Sequence, residues 1–494
     1  MRDARFLNEL LEPVRTARDH EIRGSHERQR RERTARFGHA CVSEHVSVFS
    51  PAHVRTRISS VDMDLDALRA KLAQTPALRT TGRVLGVTGL SLRFVMPGVR
   101  VGDVVHVKRR GEPLVCEVVG FDGGEAVAMP LGALVGVGPD DVVEATGAPF
   151  CVKASDALLG RVLDGLGNPI DGGAPIHGGE DVPVDRDPPL AMSRKPVDRP
   201  IATGVRVLDG LLTLGEGQRV GLFAGSGVGK STLLGAVARG AVADVVVVAL
   251  VGERGREVGE FLDHSLGPEG RKKSVVVVAT SDMAALERLR AAQVATAYAE
   301  FFRDRGLRVM LLVDSVTRFA RAQREVGLAA GEPPARRGYP PSVFAMLPRL
   351  LERSGQGEKG SITAIYTVLV EGGDMDEPIA DEVRGVLDGH VVLDRTIAAR
   401  GRYPAVDVTA SLSRVMDGIV KPDHKTAARK LRSLLALYEA KRDLVTLGAY
   451  AKGSDKELDE AIAKMPRIEQ FLRQDPKDRV PFDETVKLLE QSVK

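Results

Sequence analysis

Tryptophan is absent from the 494 residues, and aromatic side chains make up only 4% of them. A surface that stacks nucleobases along a strand is therefore not expected. Cysteine is nearly absent too. Cys41, Cys116 and Cys151 are the three present, and their spacing forms no disulfide framework, which excludes a stapled secreted scaffold and fits a reducing compartment. No apolar run approaches the roughly 18 residues of a membrane span, and the N-terminus has no apolar signal core. The expectation is a cytoplasmic protein that meets a membrane only through partners. An excess of one charge is also missing: the net charge is +3, so composition does not point to nucleic acid. What the chain does have is length for about three domains and 43% hydrophobic residues to fill their cores.

The most informative stretch is RVGLFAGSGVGKSTLL, residues 219–234. It reads as a short buried strand, a glycine-rich turn and the start of a helix opened by Ser231, the strand–loop–helix that cradles phosphates. Gly225, Gly227 and Gly229, with Ser226 and Val228 between them, let successive N–H groups point inward, and the helix N-terminus adds positive potential. Lys230 reaches terminal phosphates; the hydroxyl of Ser231, followed by Thr232, suits Mg²⁺. The strict pattern opens with glycine where this chain has Ala224, which is tolerable if φ there stays negative. The substrate implied is a nucleoside triphosphate, ATP with Mg²⁺.

The rest of the chain divides by pattern. Residues 1–62 hold twelve Arg, no Lys, nine acidic residues and five of the ten His. They read as a solvated extension, with a basic arm for acidic lipid or a partner as the alternative. His39, Cys41, His45 and His53 fit no closed zinc pattern. Translation starting at Met63 is a further alternative, with Leu65, Leu68 and Leu72 forming an amphipathic turn just after it. Residues 63–150 add to that turn the runs GRVLGV, LSLRFV, DVVHVKR, PLVCEVVGF and EAVAMPL. These predict five or six strands of a small closed β-barrel, with only Phe94 and Phe121 as aromatics. Residues 151–416 comprise a connector, with turn signals at 165–169 and a proline-rich stretch to Pro200, and then an α/β domain. Continuous apolar strands at 243–258, 273–282 and 308–319 alternate with helices, one of them spanning about 283–305. This predicts a parallel sheet buried on both faces, with its ligand beyond the carboxyl ends of the strands. Residues 417–494 read as helical, with Leu431, Leu434, Leu435 and Tyr438 on one face and further helices at 458–462 and 483–489.

Two carboxylates fall on the ligand-binding edge. Asp314 follows the apolar run 309–313 and is placed to hold the Mg²⁺ hydration shell, a helix N-cap being the alternative. Glu253 is the candidate to orient and deprotonate the attacking water, the alternative being a surface pair with Arg254 or Arg256. Arg254 is a further candidate for the γ-phosphate. Asp374, Asp376 and Glu377 read as a solvated loop rather than metal ligands, and His390 as a satisfied core histidine.

The segments AGSGVGKST, LVGERGREV, LLVDSVTRFA, RGYPPSVF, KGSITAIYTVLVEGGDMDEPIADEVR and YPAVDVTASLSRVM stand in the order of the type III secretion ATPases, which the chain resembles from Met63 onward. That resemblance implies an N-terminal β-barrel, a RecA-like P-loop ATPase domain and a helical C-terminal domain. It implies a hexameric ring that hydrolyses ATP to drive chaperone release, unfolding and export of proteins, peripheral at the inner face of the cell membrane. Stalk and stator proteins and chaperone–cargo complexes are the implied partners, without nucleic acid. It puts Glu253 at the catalytic glutamate, Tyr403 where an aromatic stacks on adenine (a core tyrosine being the alternative), and Arg414 where an arginine reaches the neighbouring subunit's nucleotide. GDMDEPIADEVR resembles the injectisome branch more than the flagellar one. A flagellar export ATPase, a rotary ATP synthase catalytic subunit and a hexameric RNA translocase are the rival functions.

Overall fold

The computed structural model describes residues 80–494. The arginine-rich extension, His39, Cys41, His45, His53, Met63 and the turn at Leu65, Leu68 and Leu72 lie outside the described residues.

Alternation of apolar and polar residues builds the first unit. Strands β1 (Thr81–Thr88), β2 (Ser91–Val95), β3 (Asp103–Lys108), β4 (Leu114–Asp122), β5 (Glu125–Pro130) and β6 (Val142–Pro149) close into an antiparallel barrel of order β1-β2-β5-β4-β3-β6. Leu92, Phe94, Val105, Val107, Cys116 and Val118 point into it, while Arg93, His106 and Lys108 between them face out. Register shifts at Val84/Gly86, Val118/Gly120 and Asp103/Val105 bend the strands enough to close the ring. Of the two aromatics expected here, Phe94 is in the core and only Phe121 is exposed.

The connector contributes more than a turn. β7 (Cys151–Ala154) pairs with β9 (Glu180–Pro183), while β8 (Val162–Asp164) joins the edge of the large sheet, parallel to a later strand. Its three residues are too few to carry a periodic signal. A short helix α1 (Arg206–Leu211) precedes β10 (Arg219–Ala224), and α2 (Lys230–Gly240) follows it. Then come β11 (Val245–Glu253), β12 (Ser274–Thr280), α3 (Ala285–Asp304), β13 (Arg308–Asp314), α4 (Val316–Ala329), α5 (Pro341–Leu351), the two-residue β14 (Gly355–Gln356), β15 (Ser361–Leu369), α6 (Pro378–Val386), β16 (Gly389–Leu393) and β17 (Val406–Ser413). The sheet runs β17-β16-β10-β15-β13-β11-β12-β8 and is parallel from β16 to β8.

Strand β11 explains why such a sheet needs two cores. All nine of its residues are buried. Val245, Val247, Ala249 and Val251 pack with α3, α4 and α5 on one face. Val246, Val248 and Leu250 pack with α2 and the C-terminal helices on the other. The barrel is fastened to the first of these layers by an ion pair: Arg290 of α3 donates Nε to Oε2 of Glu117 on β4 at 2.9 Å and pairs with Oε1 as well.

The chain ends in α7 (Pro422–Thr446), α8 (Lys456–Leu472) and α9 (Phe482–Val493). The last two are longer than the expected 458–462 and 483–489. Helix α8 continues through Pro466, a residue that normally signals a stop but here costs one backbone bond within a well-packed helix. No helix among the described residues is long and apolar enough to cross a membrane.

Candidate active site

The turn after β10 stands at the carboxyl edge of the parallel sheet. Gly227 (φ 78°) and Gly229 (φ 89°) take left-handed backbone, and Gly229 caps α2. Val228 between them is buried in the core, so the loop is pinned by one side chain while Ser226, Ser231 and Thr232 remain exposed. Ala224 is an ordinary strand residue: among non-glycine described residues only Asp140 and Arg337 have positive φ. A methyl group there is therefore tolerated.

Lys230 is the first residue of α2, and its Nζ lies between the ends of two strands. It pairs with Oδ1 of Asp314, the last residue of β13, and stands 3.4 Å from Oε1 of Glu253, the last residue of β11. Thr367 on β15 also donates to Oδ1 of Asp314, at 2.7 Å. Three strands and the helix thus deliver one lysine, two carboxylates and a hydroxyl to one point. Asp314 is not the cap of α4. That place belongs to Ser315, whose Oγ accepts the Arg318 backbone N–H at 3.3 Å.

Arg318 completes the cluster, and the sequence reading overlooked it. Its Nη2 donates to Oε2 of Glu253 at 3.2 Å, and Nη1 donates to the Gly252 carbonyl. The signal was present: Arg318 stands four residues after Asp314, one helical turn, which returns it to the same edge. Thr367 and Arg395 were missed as well. Arg395 sits beyond β16, and a Cβ on Gly225 would be 3.6 Å from its Nη2.

Burial is the main cause that pushes the Glu253 carboxyl up to about 7; the charge of Asp314 and a hydrogen bond with Glu257 act in the same direction, while Lys230 and Arg318 oppose them. The same hydrogen bond holds Glu257 below the usual carboxylate range. A carboxylate with a raised pKa near neutrality, at the mouth of a phosphate loop, is suited to take a proton from water.

Arg254 does not join the cluster. Its exposed guanidinium pairs with Glu257 at 3.2 Å along its own helix turn, at the rim of the cleft. It lines the cleft together with the phosphate loop and Arg318. Asp374, in the acidic loop, pairs with Arg337 at 3.2 Å. Asp374, Asp376 and Glu377 form no ligand cluster; among the described residues none of three or more metal-binding side chains exists. His390 is half-buried with its ring edge against Phe223, and its Nε2 is 3.1 Å from the Ala410 carbonyl.

Beside the phosphate loop lies an apolar pocket walled by Val205, Leu233, Ala236, Tyr403 and Pro404, which shares Gly229 and Thr232 with the phosphate cleft. Tyr403 is 43% exposed, too open for a core tyrosine, and its ring lies over the loop: a Cβ on Gly229 would stand 3.7 Å from it. Arg414 is elsewhere. It follows β17, its N–H donates to the Asp388 carbonyl at 3.0 Å, and it shares a groove with Arg219 at the start of β10. The six residues of β10, roughly 17 Å of strand, separate it from its own phosphate loop.

Residues 204–413 match the ATP synthase alpha/beta family, nucleotide-binding domain, and residues 420–491 match the T3SS EscN ATPase C-terminal domain. The chain belongs to the type III secretion and flagellar ATPases. It is 52% identical over 434 residues to the type 3 secretion system ATPase of Xanthomonas euvesicatoria, covering 85% of this chain and 98% of that one. It is 50% identical over 421 residues to the flagellum-specific ATP synthase of Bacillus subtilis, covering 85% and 96%. Among solved structures, assembled EscN in complex with its central stalk EscO from enteropathogenic E. coli is similar at a TM-score of 0.78 and 44% identity, covering 84% of this chain and all of that one. The barrel, RecA-like ATPase domain and helical end expected from the sequence are those of this family, and its activity is ATP hydrolysis.

Proposed function

We propose that six copies of this chain form a ring in which each completes its neighbour's site, and that ATP turnover there energises protein export through a type III secretion apparatus. The observation that carries the reading is the division of reactive groups between opposite edges of one sheet. Lys230, Glu253 and Asp314 gather at one edge, and Arg414 stands at the other, beyond reach of its own triphosphate site. A heterologous, head-to-tail contact of identical subunits brings the two edges together and closes into a ring.

In this reading the loop from Gly225 to Thr232 cradles the phosphates, with Lys230 on the terminal ones. Glu253 orients the attacking water and accepts its proton, while Arg318 and Lys230 hold that carboxylate in place. Tyr403 stacks on adenine, and Arg414 of the neighbouring copy offsets the charge that builds on the transferring phosphoryl group. The donor set fits Mg²⁺: the Ser231 hydroxyl is exposed at the start of α2, and the Asp314 carboxylate is oriented by Thr367, both hard oxygen donors. Bound there, Mg²⁺ would offset charge on the β- and γ-phosphate oxygens. Arg254, which lines the same cleft, is a further contact for the γ-phosphate.

Export as the work performed is supported by the C-terminal match at residues 420–491 and by the names of the relatives, and the injectisome branch is preferred. The 50% identity to a flagellar relative keeps the flagellar apparatus as the second reading. By likeness to EscN with EscO, a central stalk is the first partner expected; stator proteins and chaperone–cargo complexes follow from the family, with the ring peripheral at the cytoplasmic face of the membrane. The test is the ATPase rate per subunit against protein concentration. A steep rise is expected from ring assembly, and a flat rate overturns shared sites. Stimulation by RNA would favour the translocase instead.

A further inference from the structure

The apolar pocket beside the phosphate loop has one wall that does not come from the ATPase domain. Gln474, Asp475, Pro476 and Asp478, in the turn that follows α8, line the pocket as well. This turn is tied down at three places. Arg239, near the end of α2, donates to the Pro476 carbonyl at 2.6 Å. Arg206, at the start of α1, donates to the Arg473 carbonyl and, at 3.3 Å, to that of Gln470.

The third tie is Gln474, and it is the only one that reaches the tyrosine. Its backbone N–H donates to the Tyr403 carbonyl at 2.9 Å. Its side chain is buried, and both ends of the amide are used. Oε1 accepts the Arg206 N–H at 2.7 Å, and Nε2 donates to the carbonyls of Gly204 at 2.8 Å and Asp478 at 3.1 Å. A buried amide that spends every bond on backbone fixes backbone positions rather than binding a ligand.

We propose that Gln474 is the positioning residue of the base pocket: it locks the turn after α8 and the Tyr403 backbone into one unit, so that affinity for the nucleobase is set from the C-terminal helices. The phosphates lie on the far side of Gly229 and are outside its control. Movement of α8, whose last turn leads directly into Gln474, is then transmitted to the base and not to the chemistry at Glu253. This rests on the reading above that Tyr403 stacks on adenine.

The experiment compares the affinity of the full chain for ATP with that for tripolyphosphate, which carries the phosphates and no base, alongside KM and kcat for ATP. In Gln474→Ala, which loses three side-chain hydrogen bonds and keeps the N–H bonded to Tyr403, KM and Kd for ATP are expected to rise about tenfold, while kcat and the Kd for tripolyphosphate stay within twofold. Gln474→Glu keeps the acceptor for Arg206 and the bulk but loses the donor, so a smaller rise of the same kind is expected; it carries the test if the alanine variant fails to fold. Tyr403→Ala separates the two readings. If it lowers the preference for ATP over tripolyphosphate but neither Gln474 variant does, the positioning role is overturned. If it leaves that preference unchanged, the base does not bind here and both readings fall. Equal weakening of ATP and tripolyphosphate in the Gln474 variants would make the residue a general support of the fold, and that also overturns the proposal.

Discussion

The two edges of the parallel sheet are built from the same kinds of ion and arrange them differently. At the amino edge, arginines clasp carboxylates. Arg219 holds Asp388 with Nε and Nη2 at 3.0 and 3.1 Å, and Arg308 holds Asp244 with the same fork at 3.1 and 2.7 Å. Each clasps the first residue of a strand to a neighbouring loop, and Arg219 also pairs with Glu352. At the carboxyl edge, Lys230 stands between two carboxylates, and the carboxyl of Glu253 is pushed up despite two cations beside it. Such clasps hold strand ends in register. An unbalanced cluster, buried at the mouth of a phosphate loop, is where chemistry is prepared. Arg414 breaks the pattern of its own edge: it lies among the clasps, yet no carboxylate among the described residues pairs with it.

The comparison is broken most severely at Lys230. Lys230→Ala removes both a phosphate contact and the cation that separates Glu253 from Asp314. The kcat/KM for ATP is expected to fall by about 10⁴ or more, since one lost transition-state donor alone is worth about 10²–10³. A steady-state phosphate-release assay decides, and an intact rate would refute the phosphate-loop assignment.

Arg414→Ala tests the opposite edge. Turnover at ring-forming concentration is expected to fall on the order of 10³, by analogy with arginine fingers, while ATP affinity of dilute subunits is unchanged. If dilute subunits lose affinity too, Arg414 belongs with the clasps as a structural residue. Mixing Arg414→Ala with Glu253→Gln subunits sharpens the result: at least one interface in each mixed ring recovers both groups, so activity is expected to exceed that of either variant alone.

Glu253→Gln keeps the size and loses the base. A fall in kcat of about 10²–10³ is expected with ATP still bound, measured by single-turnover kinetics on trapped nucleotide. Fast turnover would require another base.

How much of this was legible depends on how local each signal is. The phosphate loop was readable because its function is written in eight consecutive residues whose backbone geometry glycine dictates. Glu253 and Asp314 were readable because a polar residue ending an apolar run must lie at a strand tip. The barrel followed from alternation, and the parallel sheet from its absence. Arg318, Thr367 and Gln474 were not found, since each acts only through a partner far away in sequence: Thr367 reaches Asp314 across 53 positions, and Gln474 reaches Gly204 across 270. Arg254 is the converse case. Adjacency to Glu253 in the chain brings it to the same cleft, where its exposed guanidinium pairs with Glu257. Strand β8 was passed over within the connector because a three-residue edge strand is fixed by its neighbour, β12, rather than by its own composition.

The smallest expected effect is also the most specific to the unbalanced edge. Glu253 must be ionised to accept a proton, so turnover is expected to fall as pH drops through about 7. For stability the sign is opposite. A carboxyl raised from 4.5 to about 7 on folding contributes stability that is fully present below 4.5 and lost as pH rises through about 7, so the ionised base is held at the expense of the fold. Glu257 sharpens both. Its hydrogen bond raises the Glu253 carboxyl. Glu257→Ala removes that influence, so the acidic limb of kcat should move to lower pH by roughly half a unit to one unit, with the plateau above pH 8 little changed. A limb that stays in place would assign the ionisation to another group. A limb that moves to higher pH would mean that Glu257 had been holding Arg254 or Arg318 toward Glu253, so that the cations and not burial govern the base.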